Sequence, residues 1–318
     1  MPNWCSNTLE IQFPNKEAKD SFKAALEDTS CRQNNTVRKA VHILVLSMLG
    51  RYQPNRPIHG LETSEKLTRE GIESVFSAPV GELTPKTTAF TQFAKLLIGN
   101  PLITEETSES IDTIYEALEA DKATFDSFTE SEKGLLEKIR VAIGFDHFGG
   151  LFAEKQSTED WYKNFLTEQN RDTGAILDFQ QFVELHLTDS VSGFNSSIFK
   201  GFQSYNDHVD RFGTKWNSFA KWEEIVHDET DTSVGFSFET AWSPATPVFH
   251  AIFEKYKADG CYISYEEGCA FAVKEDFEDG ECYATSQDDI GYEDVDEDDE
   301  DAEATIISPD YLVEHLYG

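Results

Sequence analysis

Basic side chains are scarce in this sequence. Only 26 Lys and Arg stand against 60 Asp and Glu, which leaves a formal charge of −34 at neutral pH. A field of that sign repels phosphate backbones and anionic lipid, so direct binding to nucleic acid or to a membrane surface is disfavoured and a basic partner surface is favoured. An acidic proteome is the plain alternative. Long hydrophobic runs are also missing. The most apolar stretch, Val41–Leu49, is too short to span a bilayer and reads as a core helix. The opening MPNWCSNTLEIQF lacks the basic and then apolar pattern of a secretory signal. The five cysteines, Cys5, Cys31, Cys261, Cys269 and Cys282, have no CxxC spacing, so a reduced cytoplasmic protein without a disulfide framework is expected. No HExxH, P-loop, GxSxG elbow or paired Cys and His ligands occur. No cofactor and no metal are expected, and the sequence leans away from an enzyme.

What is present is enough to fold. A hydrophobic fraction of 39% and an aromatic fraction of 13% support a packed core, and 318 residues suggest two domains or one with a large insertion. Asn7–Phe13 places Leu9, Ile11 and Phe13 on one face of a strand, and Lys16–Glu27 follows with Ala18, Phe22, Ala25 and Leu26 at helical spacing. From Val37 to Phe148 helices are expected over Val37–Tyr52, Ser64–Phe76, Thr87–Ile98, Glu105–Ala120 and Ala123–Phe145. Strand character returns at Ala175–Leu187 and Phe219–Val226, and is clearest at Ser233–Trp242, where Val234, Phe236, Phe238 and Thr240 share a face. Ser243 is read as the N-cap of a helix using Val248, Phe249, Ile252, Phe253 and Tyr256, and a hairpin forms around Glu266–Gly268. The expected fold is α+β: a split ferredoxin-like sandwich, with an antiparallel sheet carrying helices on one face, a large all-helical insertion and an acidic C-terminal tail. The expected parts are 1–36 and 149–283 for the ferredoxin-like domain, 37–148 for the insertion, 284–303 for a disordered acidic run and 304–318 for a C-terminal docking segment. The two strands Asn7–Phe13 and Ser233–Trp242 are expected to pair in one sheet.

Five short segments form a set: PNWCSN (Pro2–Asn7), LDF (Leu177–Phe179), GTKWN (Gly213–Asn217), TAWSP (Thr240–Pro244) and YEEG (Tyr265–Gly268). In identity and order they resemble the YubB-like, Api-type (DUF1281) family of plasmids and phages. The resemblance covers about the first 30 residues and Gly174–Gly280. It implies a ferredoxin-like sandwich without an iron–sulfur cluster, a setting on mobile genetic elements and hence a host bacterial cytoplasm. The large helical block and the acidic run depart from the family pattern.

The motif residues singled out are Trp4, Asn7, Gly213, Lys215, Trp216, Asn217, Thr240, Trp242, Ser243 and Glu266. Trp4, Trp216 and Trp242 are expected to be core residues, because a base-stacking platform normally lies in a positive groove. Lys215 and Asn217 read as a structural turn, and His208, His227 and His250 as surface or core histidines. Cys261, Cys269 and Cys282 surround one hairpin and read as free thiols. The run Asp288–Glu303 has no Lys or Arg, and its Asp294, Asp296, Glu297, Asp298, Asp299, Glu300 and Asp301 are the candidate contacts for a basic partner. An EF-hand is excluded there because Asp299 stands where the loop needs Gly. A solvated tail and electrostatic mimicry of DNA both fit this density of charge. The function expected is therefore a non-enzymatic acidic interaction protein of a mobile element, binding a basic nucleic-acid-binding host or defence factor. The alternatives are a nucleic-acid-processing accessory or enzyme with a site near Lys215, Asn217 and Glu239, and a structural or assembly protein.

Overall fold

The computed structural model describes residues 3–52, 84–143, 156–170, 174–195, 198–293 and 305–318. The expected helix Ser64–Phe76 and the acidic residues Asp294–Asp301 lie outside the described residues. In chain order the elements begin with β1 (Trp4–Gln12), α1 (Lys16–Glu27), α2 (Arg32–Met48), α3 (Pro85–Gly99), α4 (Glu105–Ala117), α5 (Glu130–Ile143) and α6 (Thr158–Lys163). They continue with β2 (Ile176–Leu177), α7 (Leu187–Ser192), α8 (Ser204–Phe212), β3 (Ala220–Lys221), β4 (Val226–Glu229), β5 (Ser233–Ala241) and α9 (Thr246–Tyr256). The last are β6 (Asp259–Glu266), β7 (Phe271–Glu278), β8 (Glu281–Asp289), β9 (Gly291–Tyr292), β10 (Ile306–Ser308) and α10 (Asp310–Tyr317). Among the described residues, no helix is long and apolar enough to cross a membrane.

The chain forms two compact units. One unites Met1–Asp28, Thr173–Val183 and His208–Gly318; the other takes Thr29–Asp172 and Glu184–Asp207. These bounds differ from the expected 1–36, 37–148 and 149–283. Helix α2 starts at Arg32, and residues 184–207 belong with the helical unit, because α7 packs on α2 and α3.

In the first unit a six-stranded sheet has the order β4-β5-β1-β6-β7-β8, with every neighbouring pair antiparallel. Strand β1 lies between β5 and β6, which α9 connects, so the split βαβ arrangement holds. Leu9 faces Phe236 and Ile11 faces Val234 across β1 and β5, as the period-two reading anticipates. The inner sheet face buries Leu9, Ile11, Phe236 and Tyr262. Phe13 and Phe22 meet at 5.4 Å, Phe249 and Tyr262 at 4.8 Å, and Phe253 and Phe277 stack at 4.0 Å between ring centroids.

The outer face carries the chain end. Leu312 of α10 joins Ile290, Ile306 and Ala272 in a small core that Ile263, Tyr265 and Tyr311 complete. Residues 305–318, the described part of the docking segment expected at 304–318, thus pack on their own sheet. The acidic run does not begin at residue 284, since Ala284–Asp289 extend β8 along β7 and Gly291–Tyr292 pair with β10. Alternating backbone pairing with β7 holds these charges in a strand whose side chains remain solvated.

In the second unit α2 is buried along most of its length, including the polar His42. Its ring bridges two hydroxyls: Nδ1 lies 2.8 Å from Tyr115 and Nε2 2.7 Å from Tyr162. Burial, with Arg38 adding to it, lowers the His42 pKa to about 3. Three expected elements differ from the sequence reading. Ala123–Phe145 is helical only over Glu130–Ile143 among the described residues, after short turns at Ala120–Lys122 and Phe125–Ser127. Ala175–Leu187 is a strand for two residues only, because the Asp178 carboxylate accepts from the Gln180 N–H and starts a turn over Phe179–Gln181. Likewise Phe219–Val226 yields β3 and then one helical turn, Trp222–Ile225.

Candidate functional site

The sequence motifs converge at one end of the sheet. Cys5, Asn7, Leu9 and Ile11 of β1 point inward, whereas Trp4, Ser6, Thr8, Glu10 and Gln12 share the outer face. Asn7 is thus a polar residue at a core position, and its carboxamide is fully used. Nδ2 donates to Cys5 O at 2.9 Å and to Thr240 Oγ1 at 2.9 Å, and Oδ1 accepts from Ser264 Oγ at 2.8 Å. Thr240 Oγ1 donates in turn to Ser243 O at 2.7 Å, and Ser243 Oγ donates to Gly213 O at 2.6 Å. Ser243 is therefore a brace between two motifs and not the cap of α9, whose N-cap position is Ala245. Gly213 has φ 80°, and a Cβ there would lie 2.7 Å from the Pro247 ring and 2.8 Å from Pro244 O. Only glycine fits.

Asn217 does parallel work for the LDF segment. Its Nδ2 donates to Asp178 Oδ1 at 2.7 Å, and its Oδ1 accepts from the Phe179 N–H at 2.8 Å. Glu266 closes the β6–β7 turn by accepting from the N–H groups of Gly268 at 2.7 Å and Cys269 at 2.6 Å. Burial pushes this carboxyl up, but those bonds, the Cys269 thiol and Asn3 outweigh it and hold its pKa below the usual range. Asn7, Gly213, Asn217, Thr240, Ser243 and Glu266 are framework.

The framework presents the tryptophans outward, which corrects their expected burial. Trp4, Trp216 and Trp242 are 48%, 38% and 52% exposed. Trp4 and Trp216 lie 6.1 Å apart between centroids at 52°, and Lys215 Nζ sits 4.8 Å from the Trp216 ring. The Trp242 N–H donates to Asn3 O at 3.0 Å, and Trp242 has φ 76°, a left-handed conformation costly for a bulky residue. Two residues along from Trp4, Ser6 begins a polar groove of about 350 Å³ lined by Ser6, Thr8, Ser237, Glu239, Tyr265 and His315. Thr8 Oγ1 lies 2.9 Å from Ser237 Oγ and 3.3 Å from His315 Nε2. Burial first, and His227 second, lower the His315 pKa, so the ring is neutral at neutral pH.

The histidines find partners other than their sequence neighbours. His208 Nδ1 lies 3.1 Å from Lys215 O, His227 is 3.7 Å from Glu10, and His250 is 2.5 Å from Glu275. One cluster had no sequence signal: His186, Asp189 and Asp207 in the helical unit. Its carboxylates are engaged internally, Asp207 by His186 Nδ1 and N–H at 2.6 Å each, and Asp189 by Asn100 at 2.6 Å and the Gln203 N–H at 2.9 Å.

A split ferredoxin-like α+β unit that shows a tryptophan-rich end of its sheet, in a chain that also carries a separate helical unit, defines the class of protein. The family described as "Protein of unknown function (DUF1281)" matches residues 35–216, and "Ferredoxin-like domain in Api92-like protein" matches residues 221–309. The chain belongs to the DUF1281 family. The crystal structure of protein api92 from Yersinia pseudotuberculosis, also of DUF1281, is similar with a TM-score of 0.74 and 14% identity, covering 92% of this chain and 99% of that one. At that identity the likeness establishes the fold. No curated protein matches the chain.

Proposed function

We propose that this chain is a non-enzymatic interaction protein that grips a basic protein partner with the exposed indoles of Trp4, Trp216 and Trp242. The observation that carries the reading is the exposure of all three motif tryptophans on a framework of buried, satisfied hydrogen bonds. Tryptophan dominates binding hot spots because it buries a large area at a small cost in side-chain entropy, and a rigid support lowers that cost further. The charge of −34 selects the partner's sign and speeds its approach. The acidic residues Asp294–Asp301 add to the steering field, in the manner of a DNA mimic. A nucleic-acid-binding factor of a host cell, including a defence protein, is the partner class such a field suits, and blocking or redirecting it is the proposed outcome. The polar motif groups that catalysis would need are committed elsewhere, Asn217 to Asp178 and Glu266 to its own turn, which further supports a binding role.

The pairing of Lys215 with Trp216 favours a second reading, stacking of a single nucleic-acid strand on the same indoles. The negative field weighs against it. A photo-reactive residue at 216, Trp216→p-benzoylphenylalanine, separates the two. Illumination in extract of the native host is expected to trap a protein of net positive charge. Trapping nucleic acid, or an acidic protein, would overturn the proposal.

A further inference from the structure

Helix α9 and the β7–β8 hairpin bring together three donors of different chemistry on the helix-covered side of the sheet. His250 comes from α9, Glu275 from β7 and Cys282 from β8. One ligand atom from each, an imidazole nitrogen, a carboxylate oxygen and a thiol sulfur, lies within 4.8 Å of the other two. Glu275 is buried, and its carboxylate meets His250 Nε2 at 2.5 Å and Thr285 Oγ1 at 3.2 Å. The Tyr262 hydroxyl hydrogen-bonds the same carboxylate. We infer that His250, Glu275 and Cys282 form a binding site for a divalent transition-metal ion of the zinc class, contrary to the expectation of no metal from the sequence.

The donor set selects the ion. Thiolate and imidazole suit Zn²⁺ and its neighbours, whereas Mg²⁺ and Ca²⁺ want all-oxygen shells. Bonds of roughly 2.0–2.3 Å to nitrogen, oxygen and sulfur put tetrahedral donors about 3.3–3.7 Å apart. The His250 and Glu275 atoms must therefore part by about 1 Å, and Cys282 need close by no more than about 1 Å. Side-chain rotation suffices, because His250 is 43% exposed and Cys282 is only half-buried. Thr285 and Tyr262 orient the carboxylate as outer partners commonly do around metal ligands. On binding, the metal–sulfur bond replaces the Cys282 S–H bond, and the proton leaves to solvent. Three protein ligands leave a fourth position for water, and the bound ion would clip α9 to the hairpin.

The negative field of the whole chain attracts any cation, so the test must read the sulfur itself. Full-length protein, reduced and metal-free, is titrated with Co²⁺ and followed by thiolate-to-cobalt charge-transfer absorption. One equivalent is expected to saturate the band, added Zn²⁺ to bleach it, and the unfolding temperature to rise with metal. Cys282→Ser should abolish the band, and His250→Ala should weaken binding at least about 10-fold, with the metal-free melting temperature of each checked against wild type. Absence of the band in the wild type would overturn the site. So would a band that persists in both variants, since another of the cysteines would then be the ligand.

Discussion

The side chain of Asn7 donates to Thr240 across 2.9 Å and accepts from Ser264 across 2.8 Å, joining the first strand to residues more than two hundred positions away. The bonds are buried, and truncation leaves more than one polar group without a partner. Asn7→Ala should cost about 2–4 kcal/mol, with unsatisfied buried groups at about 1–3 kcal/mol each. Urea denaturation measures it. A loss below about 1 kcal/mol would mean that the network does not hold the sheet end together.

The tryptophans divide into two kinds. Trp161 is fully buried, so Trp161→Ala should lose about 3–5 kcal/mol, whereas half-exposed Trp242 has little packing to lose. Trp242→Gly also relieves its left-handed backbone and should change stability by less than about 1 kcal/mol. Thermal melts of both variants make the comparison. A large loss at Trp242 would return that residue to the core and remove it from the binding platform.

His42 sets a pH dependence in the helical unit. Its folded pKa, lowered to about 3, lies below an unfolded value near 6.5, so between these pH values the unfolded chain binds more protons. Stability is full above about pH 6.5 and falls as pH drops through this window, by an amount on the order of a few kcal/mol. His42→Gln should flatten that part of the stability–pH curve measured by urea titration. An unchanged slope would show that the ring is protonated in the folded state.

Much of this fold was legible in the sequence because it rests on period. Leu9 and Ile11 against Val234 and Phe236 announced paired strands, and the helix expected over Glu105–Ala120 forms as α4, which buries Ile111, Ile114 and Tyr115. The same alternation carried an unused signal: Trp4 has the parity of Ser6, Thr8 and Glu10, the polar face. Trp242 was not readable in this way. Continued alternation from Phe238 and Thr240 would send it inward, and only its left-handed φ at the strand end accompanies the outward turn. Dense apolar residues at Ala175–Leu187 fit a strand and a turn equally, and the Asp178 side chain decided for the turn. The grouping of His250, Glu275 and Cys282 depends on hairpin register and helix placement, which no local spacing encodes.

The chain end contributes to stability through one anchor. Leu312 is fully buried against Ala272, Ile290 and Ile306 on the outer sheet face. Leu312→Ala should cost about 2–5 kcal/mol if α10 unfolds only with the whole unit, and less if it detaches alone. Limited proteolysis distinguishes these: cleavage confined to residues 305–318 at unchanged global stability would show that α10 is an independent flap.

Affinity capture with the full chain as bait, beside a Trp4→Ala/Trp216→Ala/Trp242→Ala variant and across a salt series, tests the indole platform and the negative field together. The expected result is a basic protein whose affinity falls at least about 10-fold from low to high salt, since screening shortens the field to ~8 Å at physiological ionic strength. The triple variant should lose about 2 kcal/mol or more of binding, the scale of a hot spot. Equal affinity of both baits at every salt concentration, or tight DNA binding by the wild type at physiological salt, would contradict the account.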